Sequence, residues 1–135
     1  MRIVVVAVGR LRPPYVDDVG HYEKLLSGHA RIDLIEVRAE DQVAKRLPGR
    51  CFTVLLDARG RSFDSEGFSG FLEGRRQSGL DLCFVIGGAH GIELASADVE
   101  LSLGPMTLPH QLARVVLLEQ LFRAHKILVG HPYHY

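Results

Sequence analysis

The sequence has no tryptophan, two cysteines and two methionines, and its 16 basic residues are balanced by 16 acidic ones. Two cysteines exclude a disulfide scaffold. Cys51 and Cys83 sit in or beside apolar runs, CFTVLLD and DLCFVIGG, and read as small buried hydrophobes. They lack the C-x-x-C spacing of a zinc pair, and His131-x-x-His134 offers only two ligands with no acid nearby, so no metal is expected. No apolar run reaches the roughly 18 residues of a membrane span. The N-terminal MRIVVVAVGR has too short an apolar run for a signal peptide, and no small-residue cleavage site follows. A cytoplasmic chain is expected. The serine-hydrolase elbow, the H-E-x-x-H zinc helix, the kinase signature set and the G-K-[ST] of a phosphate loop are all missing.

Zero net charge lacks the excess of Lys and Arg that usually accompanies phosphate neutralisation. The distribution is uneven, however. From Met106 to Tyr135 the charged residues are Arg114, Glu119, Arg123 and Lys126, a net +2, and four of the seven histidines (His110, His125, His131, His134) lie in the same stretch.

A length of 135 residues with 47% apolar and 24% charged side chains fits one folded domain, 1–135. Apolar runs alternate with amphipathic stretches. Strands are expected at Arg2–Val8, Ile32–Val37, Cys51–Leu56, Leu82–Ile86 and Val99–Leu103. Helices are expected at Pro13–Leu26, briefly at Glu40–Leu47, from Asp64 or Ser65 to near Gly79, as a turn at Ile92–Ala97, and at His110–Lys126. This alternation implies an α/β fold with a mostly parallel sheet covered on both faces. Ligands in such folds sit beyond the carboxyl ends of strands, which selects the loops after Leu56, Ile86 and Leu103.

Each loop has more than one reading. Gly87-Gly88-Ala89-His90-Gly91 admits close approach of backbone to a ligand, or a tight turn. Its spacing is not the dinucleotide fingerprint. Leu103-Gly104-Pro105-Met106-Thr107-Leu108-Pro109 joins apolar side chains to a rigid backbone, which suits an adenine ring or an ordinary self-packed loop. Asp57 ends a strand, as a catalytic acid or a turn residue. The tail His131-Pro132-Tyr133-His134-Tyr135 suits stacking on a base or packing at a subunit interface.

Together these segments resemble the RlmH (YbeA-like) family of SPOUT-class methyltransferases, which act on a pseudouridine of large-subunit ribosomal RNA. The resemblance rests on IVVVAVGRLRPPY, VLLDARGR, FVIGGAHG, LSLGPMTLPHQLARVVLLEQLFRAHKI and HPYHY, and spans essentially the whole chain. It implies an α/β fold with a C-terminal trefoil knot, a homodimer whose active site uses both subunits, and S-adenosylmethionine bound in the knot. Carried over by position, the donor site takes in Leu56, Gly87, Leu103, Gly104, Pro105, Met106, Thr107 and Leu108. Methyl transfer to N3 of the pseudouridine, on an assembled ribosome or large subunit, needs alignment and removal of a proton. His110 ranks first for that role, with Tyr133 and His134 next. Arg114 and Arg123 are expected at RNA phosphates or at the dimer contact, and Arg123 equally as a charge complementing a helix C-terminus. Two rivals stay open: a SPOUT methyltransferase with a tRNA substrate, and a non-catalytic RNA- or ribosome-binding module. The chain departs from the family in a shorter segment around Ala39–Lys45 and in ending on Tyr135, where many relatives carry a basic residue.

Overall fold

The computed structural model describes residues 1–89 and 91–134; of His134 only the backbone is described. At its centre is β1 (Arg2–Val8), a β-branched run buried at every position after Arg2. Burial on both faces is what a central parallel strand requires. β1 lies between β2 (Arg31–Val37) and β4 (Asp81–Ile86). β3 (Cys51–Ser62) pairs with β4, and β5 (Val99–Ser102) pairs with β3 at the edge. The order is β2-β1-β4-β3-β5, with every pairing parallel.

The two faces are covered unequally. Ile3, Val5, Ala7, Phe84 and Ile86 point to one side, where α1 (Tyr15–Leu26), α3 (Ser65–Ser78) and α4 (His110–Leu128) pack. Val4, Val6, Val8, Leu55, Cys83 and Val85 point to the other. There the cover is thin: α2 (Val43–Arg46), which follows a 3-10 turn at Glu40–Gln42, and the segment carrying Ile92, Leu94 and Ala97.

That segment is not helical over Ile92–Ala97 as expected, and keeps only a single turn at Leu94–Ala97. Between Ile86 and Asp98 the chain must cross β3 and descend to Thr53, whose carbonyl accepts the Asp98 N–H at 2.8 Å. Two strand spacings and about three residues of descent amount to about 14 Å. Six residues of helix would advance only about 9 Å, so the backbone is irregular, apart from one turn closed by the Ala97 N–H donating to the Leu94 carbonyl at 3.2 Å.

β3 outruns its expected end. Leu101 of β5 stands opposite both Leu56 and Arg61, so Asp57–Gly60 bulges out of register before pairing resumes. A Cβ on Gly60 would lie 2.5 Å from the carbonyl group of Glu100, so only glycine allows the bulge to press on β5. α3 begins and ends as its sequence indicates: the Asp64 carboxylate accepts the Gly67 N–H at 2.7 Å, and Gly79 closes it at φ +80°. Cys83 is buried and its thiol is pushed well above the usual range by burial, and both cysteines are free. Among the described residues, no helix is long and apolar enough to cross a membrane.

Candidate active site

The carboxyl ends of β3, β4 and β5 and the start of α4 enclose one cavity of about 770 Å³. Its walls are apolar at Leu56, Ile86, Leu101, Leu103, Met106 and Leu108, and main chain at Gly87, Gly88 and Gly104. Carboxylates of Glu40, Asp57 and Glu93 line it as well, and His110 and Ala113 of α4 close one side. The three strand-end loops singled out by sheet geometry therefore meet at one place.

Each loop is shaped by local chemistry. Asp57 accepts the Arg59 N–H at 2.9 Å and pairs with the Arg59 guanidinium at 3.2 Å. The guanidinium first, then the backbone N–H, holds this carboxyl below its ordinary range. Asp57 thus makes the local bonds of a turn residue while its side chain remains at the cavity. Gly88 and Gly91 form a two-residue antiparallel bridge, with the Gly91 N–H donating to the Gly88 carbonyl at 3.0 Å. A Cβ on Gly87 would lie 2.7 Å from the Gly91 carbonyl carbon and 2.9 Å from Ile92 N. Gly87 is therefore needed because the returning chain crosses it. His90, the fourth residue of the motif, lies outside the described residues. In the third loop the Ser102 hydroxyl donates to the Gly104 carbonyl at 2.9 Å and accepts the Gly104 N–H at 3.0 Å. Gly104 sits at φ +137°, which a side chain would oppose. Met106 is 80% exposed at the rim.

Of the eight residues expected at the donor site, Leu56, Gly87, Leu103, Gly104, Met106, Thr107 and Leu108 line this cavity. Pro105 does not. It faces a neighbouring cavity of about 490 Å³ formed with Phe63, Phe68 and Val116. His110 lines the first cavity, and its Nε2 is 3.9 Å from where a Cβ on Gly9 would stand.

The tail is elsewhere. Tyr133 packs edge-on against Phe122, ring centroids 4.9 Å apart, and under the Arg123 guanidinium. Phe122 is twelve residues along α4 from His110, about 18 Å on the helix axis. Within one chain Tyr133 therefore does not reach the cavity. The side chain of His134 lies outside what is described. Burial, then the neighbouring Glu119 carboxylate, raises the Tyr133 phenol above its ordinary range, so it stays protonated at neutral pH.

Neither arginine expected at RNA phosphates is free. Arg114 is buried: one terminal nitrogen donates to Glu36 at 2.7 Å, the other to the carbonyls of Gly9 at 2.6 Å and Val8 at 3.2 Å. Arg123 donates to Glu119 one turn earlier, at 2.8 Å through Nε, and to the Tyr133 carbonyl at 3.4 Å. Helical periodicity points Leu112, Val115 and Val116 inward on α4, but all three are half-buried while Arg114 is inside. The partners of Arg114 lie 78 to 106 residues away, so no local pattern signals them.

The whole chain matches one protein family. The model described as "Predicted SPOUT methyltransferase" covers residues 1–134. The chain belongs to the SPOUT methyltransferases. Relatives named Ribosomal RNA large subunit methyltransferase H include one from Acetivibrio thermocellus, 39% identical over 158 aligned positions with 99% of each chain covered. Another, from Koribacter versatilis, is 43% identical over 143 positions, covering 99% of this chain and 98% of that one. A third, from Gluconacetobacter diazotrophicus, is 45% identical over 148, covering 96% and 95%. The aligned lengths exceed the 135 residues present, so the alignments leave relatives' positions without a counterpart in this chain.

Proposed function

We propose that this SPOUT methyltransferase transfers a methyl group from S-adenosylmethionine to N3 of a pseudouridine in 23S ribosomal RNA, in the cytoplasm and on the assembled ribosome. The observation that carries the proposal is the convergence of three strand-end loops, apolar and main-chain lined, on one cavity with His110 at its side. The residues fit the donor. Leu56, Leu103, Met106 and Leu108 offer apolar walls for an adenine ring, and the glycine backbones offer hydrogen-bonding groups without side chains in the way. Glu40 and Glu93 supply negative charge to a cationic ligand, while Asp57 is paired with Arg59, which lines the cavity too. When bound, S-adenosylmethionine supplies a methyl carbon already activated by its positive sulfur.

The chain's own residues then hold the acceptor in line and take up a proton. The His110 side chain is the proposed proton acceptor, since it carries the imidazole that lines the cavity among the described residues. A general base contributes about 10²–10⁴-fold. Tyr133, as a protonated phenol, is suited to donate a hydrogen bond to the base rather than to remove its proton.

Tyr133 contributes only if a second copy brings its tail to this cavity, because about 18 Å of α4 separates Phe122 and its partner Tyr133 from His110 within one chain, and His134 is proposed to act with Tyr133. A homodimer with a shared active site is the arrangement that reconciles the two. Exposed Leu128 and Val129 beside the tail, and Met106 at the cavity rim, suit such a contact. A trefoil knot is also proposed, on the strength of the match to the SPOUT methyltransferases over residues 1–134.

Two measurements decide the function. Calorimetry with S-adenosylmethionine should show one site per chain, and no binding would remove the enzyme reading. Mass spectrometry of ribosomal RNA from a deletion strain should show loss of one pseudouridine methyl group. Persistence of that group, with a methyl lost from tRNA instead, would reassign the substrate.

A further inference from the structure

The loop Gly9–Arg12, between β1 and α1, passes beside His110 of the cavity and carries two arginines that the donor site does not use. Arg10 and Arg12 are exposed, and neither guanidinium has a partner among the described residues. Leu11 between them turns inward against the core.

The backbone beneath them is clamped from three directions. The Gly9 N–H donates to the Val37 carbonyl at 2.8 Å. The Leu11 N–H donates to the Glu36 carboxylate at 2.7 Å, and Arg114 holds that same carboxylate and the Gly9 carbonyl. The Gln111 amide bridges the turn: its oxygen accepts the Arg12 N–H at 2.8 Å and its nitrogen donates to the Arg10 carbonyl at 3.0 Å. Gln111 follows His110, and Gly9 faces His110 Nε2. The donor cavity by itself gives no reason for so many bonds to one short turn.

From this we infer that Arg10 and Arg12 bind the phosphate backbone of the RNA next to the methylated base, and that Gln111, Glu36 and Arg114 are positioning residues that hold them. The chain's zero net charge gives no broad positive field to gather RNA. Affinity and register then depend on a few fixed phosphate contacts. A guanidinium on a clamped backbone loses less freedom on binding than one on a mobile loop, and its planar fork matches phosphate oxygens. Arg114, expected at phosphate itself, acts from inside as the strut.

This rests on the ribosomal RNA reading above. The test is steady-state methylation of ribosomes or large subunits from the deletion strain, across a salt series, by wild type, Arg10→Ala/Arg12→Ala, Arg10→Lys/Arg12→Lys and Gln111→Ala. Calorimetry with S-adenosylmethionine runs alongside. The double alanine variant should raise KM for the ribosomal substrate about ten-fold or more, and should lower the slope of log KM against log salt by about 0.7–0.9 for each phosphate that is no longer neutralised. Its donor affinity should be unchanged. The lysine pair should restore the salt slope with part of the affinity. Gln111→Ala should raise KM while keeping both arginines and their charge.

An unaltered KM and salt slope in the double alanine variant would overturn the inference, and so would a parallel loss of donor binding. If wild type binds the donor but methylates no ribosomal substrate, the functional reading falls and this inference with it.

Discussion

Replacing Gly87 by alanine adds one methyl group where two backbone segments cross. The new Cβ would stand 2.7 Å from the Gly91 carbonyl carbon and 2.9 Å from both Ile92 N and Ile92 Cγ2. Two of these three neighbours are main chain, so no rotamer change relieves the contact. Restoring ordinary contact at 3.4 Å requires the Gly91–Ile92 backbone to retreat by about 0.7 Å. That motion strains the 3.0 Å bond from Gly91 N–H to the Gly88 carbonyl and draws Ile92 off the second core face. Overpacking of this kind costs about 1–3 kcal/mol. For 135 residues that lowers Tm by about 3–12 °C. The displaced backbone is also cavity wall, and donor affinity should fall about ten-fold, which corresponds to about 1.4 kcal/mol of lost binding. Urea unfolding followed by circular dichroism, and calorimetry with S-adenosylmethionine, measure the two effects. A variant with unchanged stability and abolished affinity would refute the reasoning, since the methyl group would then be filling ligand space instead of moving the loop. Retention of both would refute it equally.

Three further outcomes are expected. Arg114→Met should cost about 2–3 kcal/mol in urea unfolding, because it leaves the Val8 and Gly9 carbonyls without their charged donor, while Glu36, 44% exposed, returns to water; a loss under about 0.5 kcal/mol would mean the strut is ornamental. Gly70→Ala and Gly74→Ala, inside α3 with nothing within 4 Å of the added carbon, should each stabilise by about 0.5–1 kcal/mol, and a destabilised variant would contradict the open space seen there. His125 is buried, its Nδ1–H donating to the Leu121 carbonyl at 2.8 Å, and burial lowers its pKa below the ordinary 6.5. A depressed folded pKa contributes stability that is present above 6.5 and is lost as pH falls below it. A His125→Phe chain should therefore lose less stability than wild type between neutral pH and about pH 5, measured by urea midpoints; parallel curves would place the titrating group elsewhere.

Much of the fold and part of the site were legible in the sequence because their causes are local. β1 is a β-branched run, and β-branched residues suit a doubly buried strand whatever lies beside it. Asp64 and Gly79 mark the ends of α3 through bonds and dihedrals confined to a few residues. The rule that ligands sit beyond parallel strand ends is enough to bring three loops to one cavity, and seven of eight expected donor residues line it.

The tertiary structure decided whatever depends on residues far apart in the chain. Ile92–Ala97 carries a helical pattern, yet the distance from β4 to β5 across β3 forces it open. Arg114 has the composition of a surface residue and is buried, because Glu36 and the end of β1 supply its oxygens from about 80 to 106 residues away. Tyr133 and His110 share a sequence neighbourhood but stand at opposite ends of α4, since a helix converts each residue of separation into about 1.5 Å of rise. Local propensity thus determined the elements and the end of the sheet where chemistry would gather. Which side chains meet there was decided by long-range packing, which no window of sequence contains.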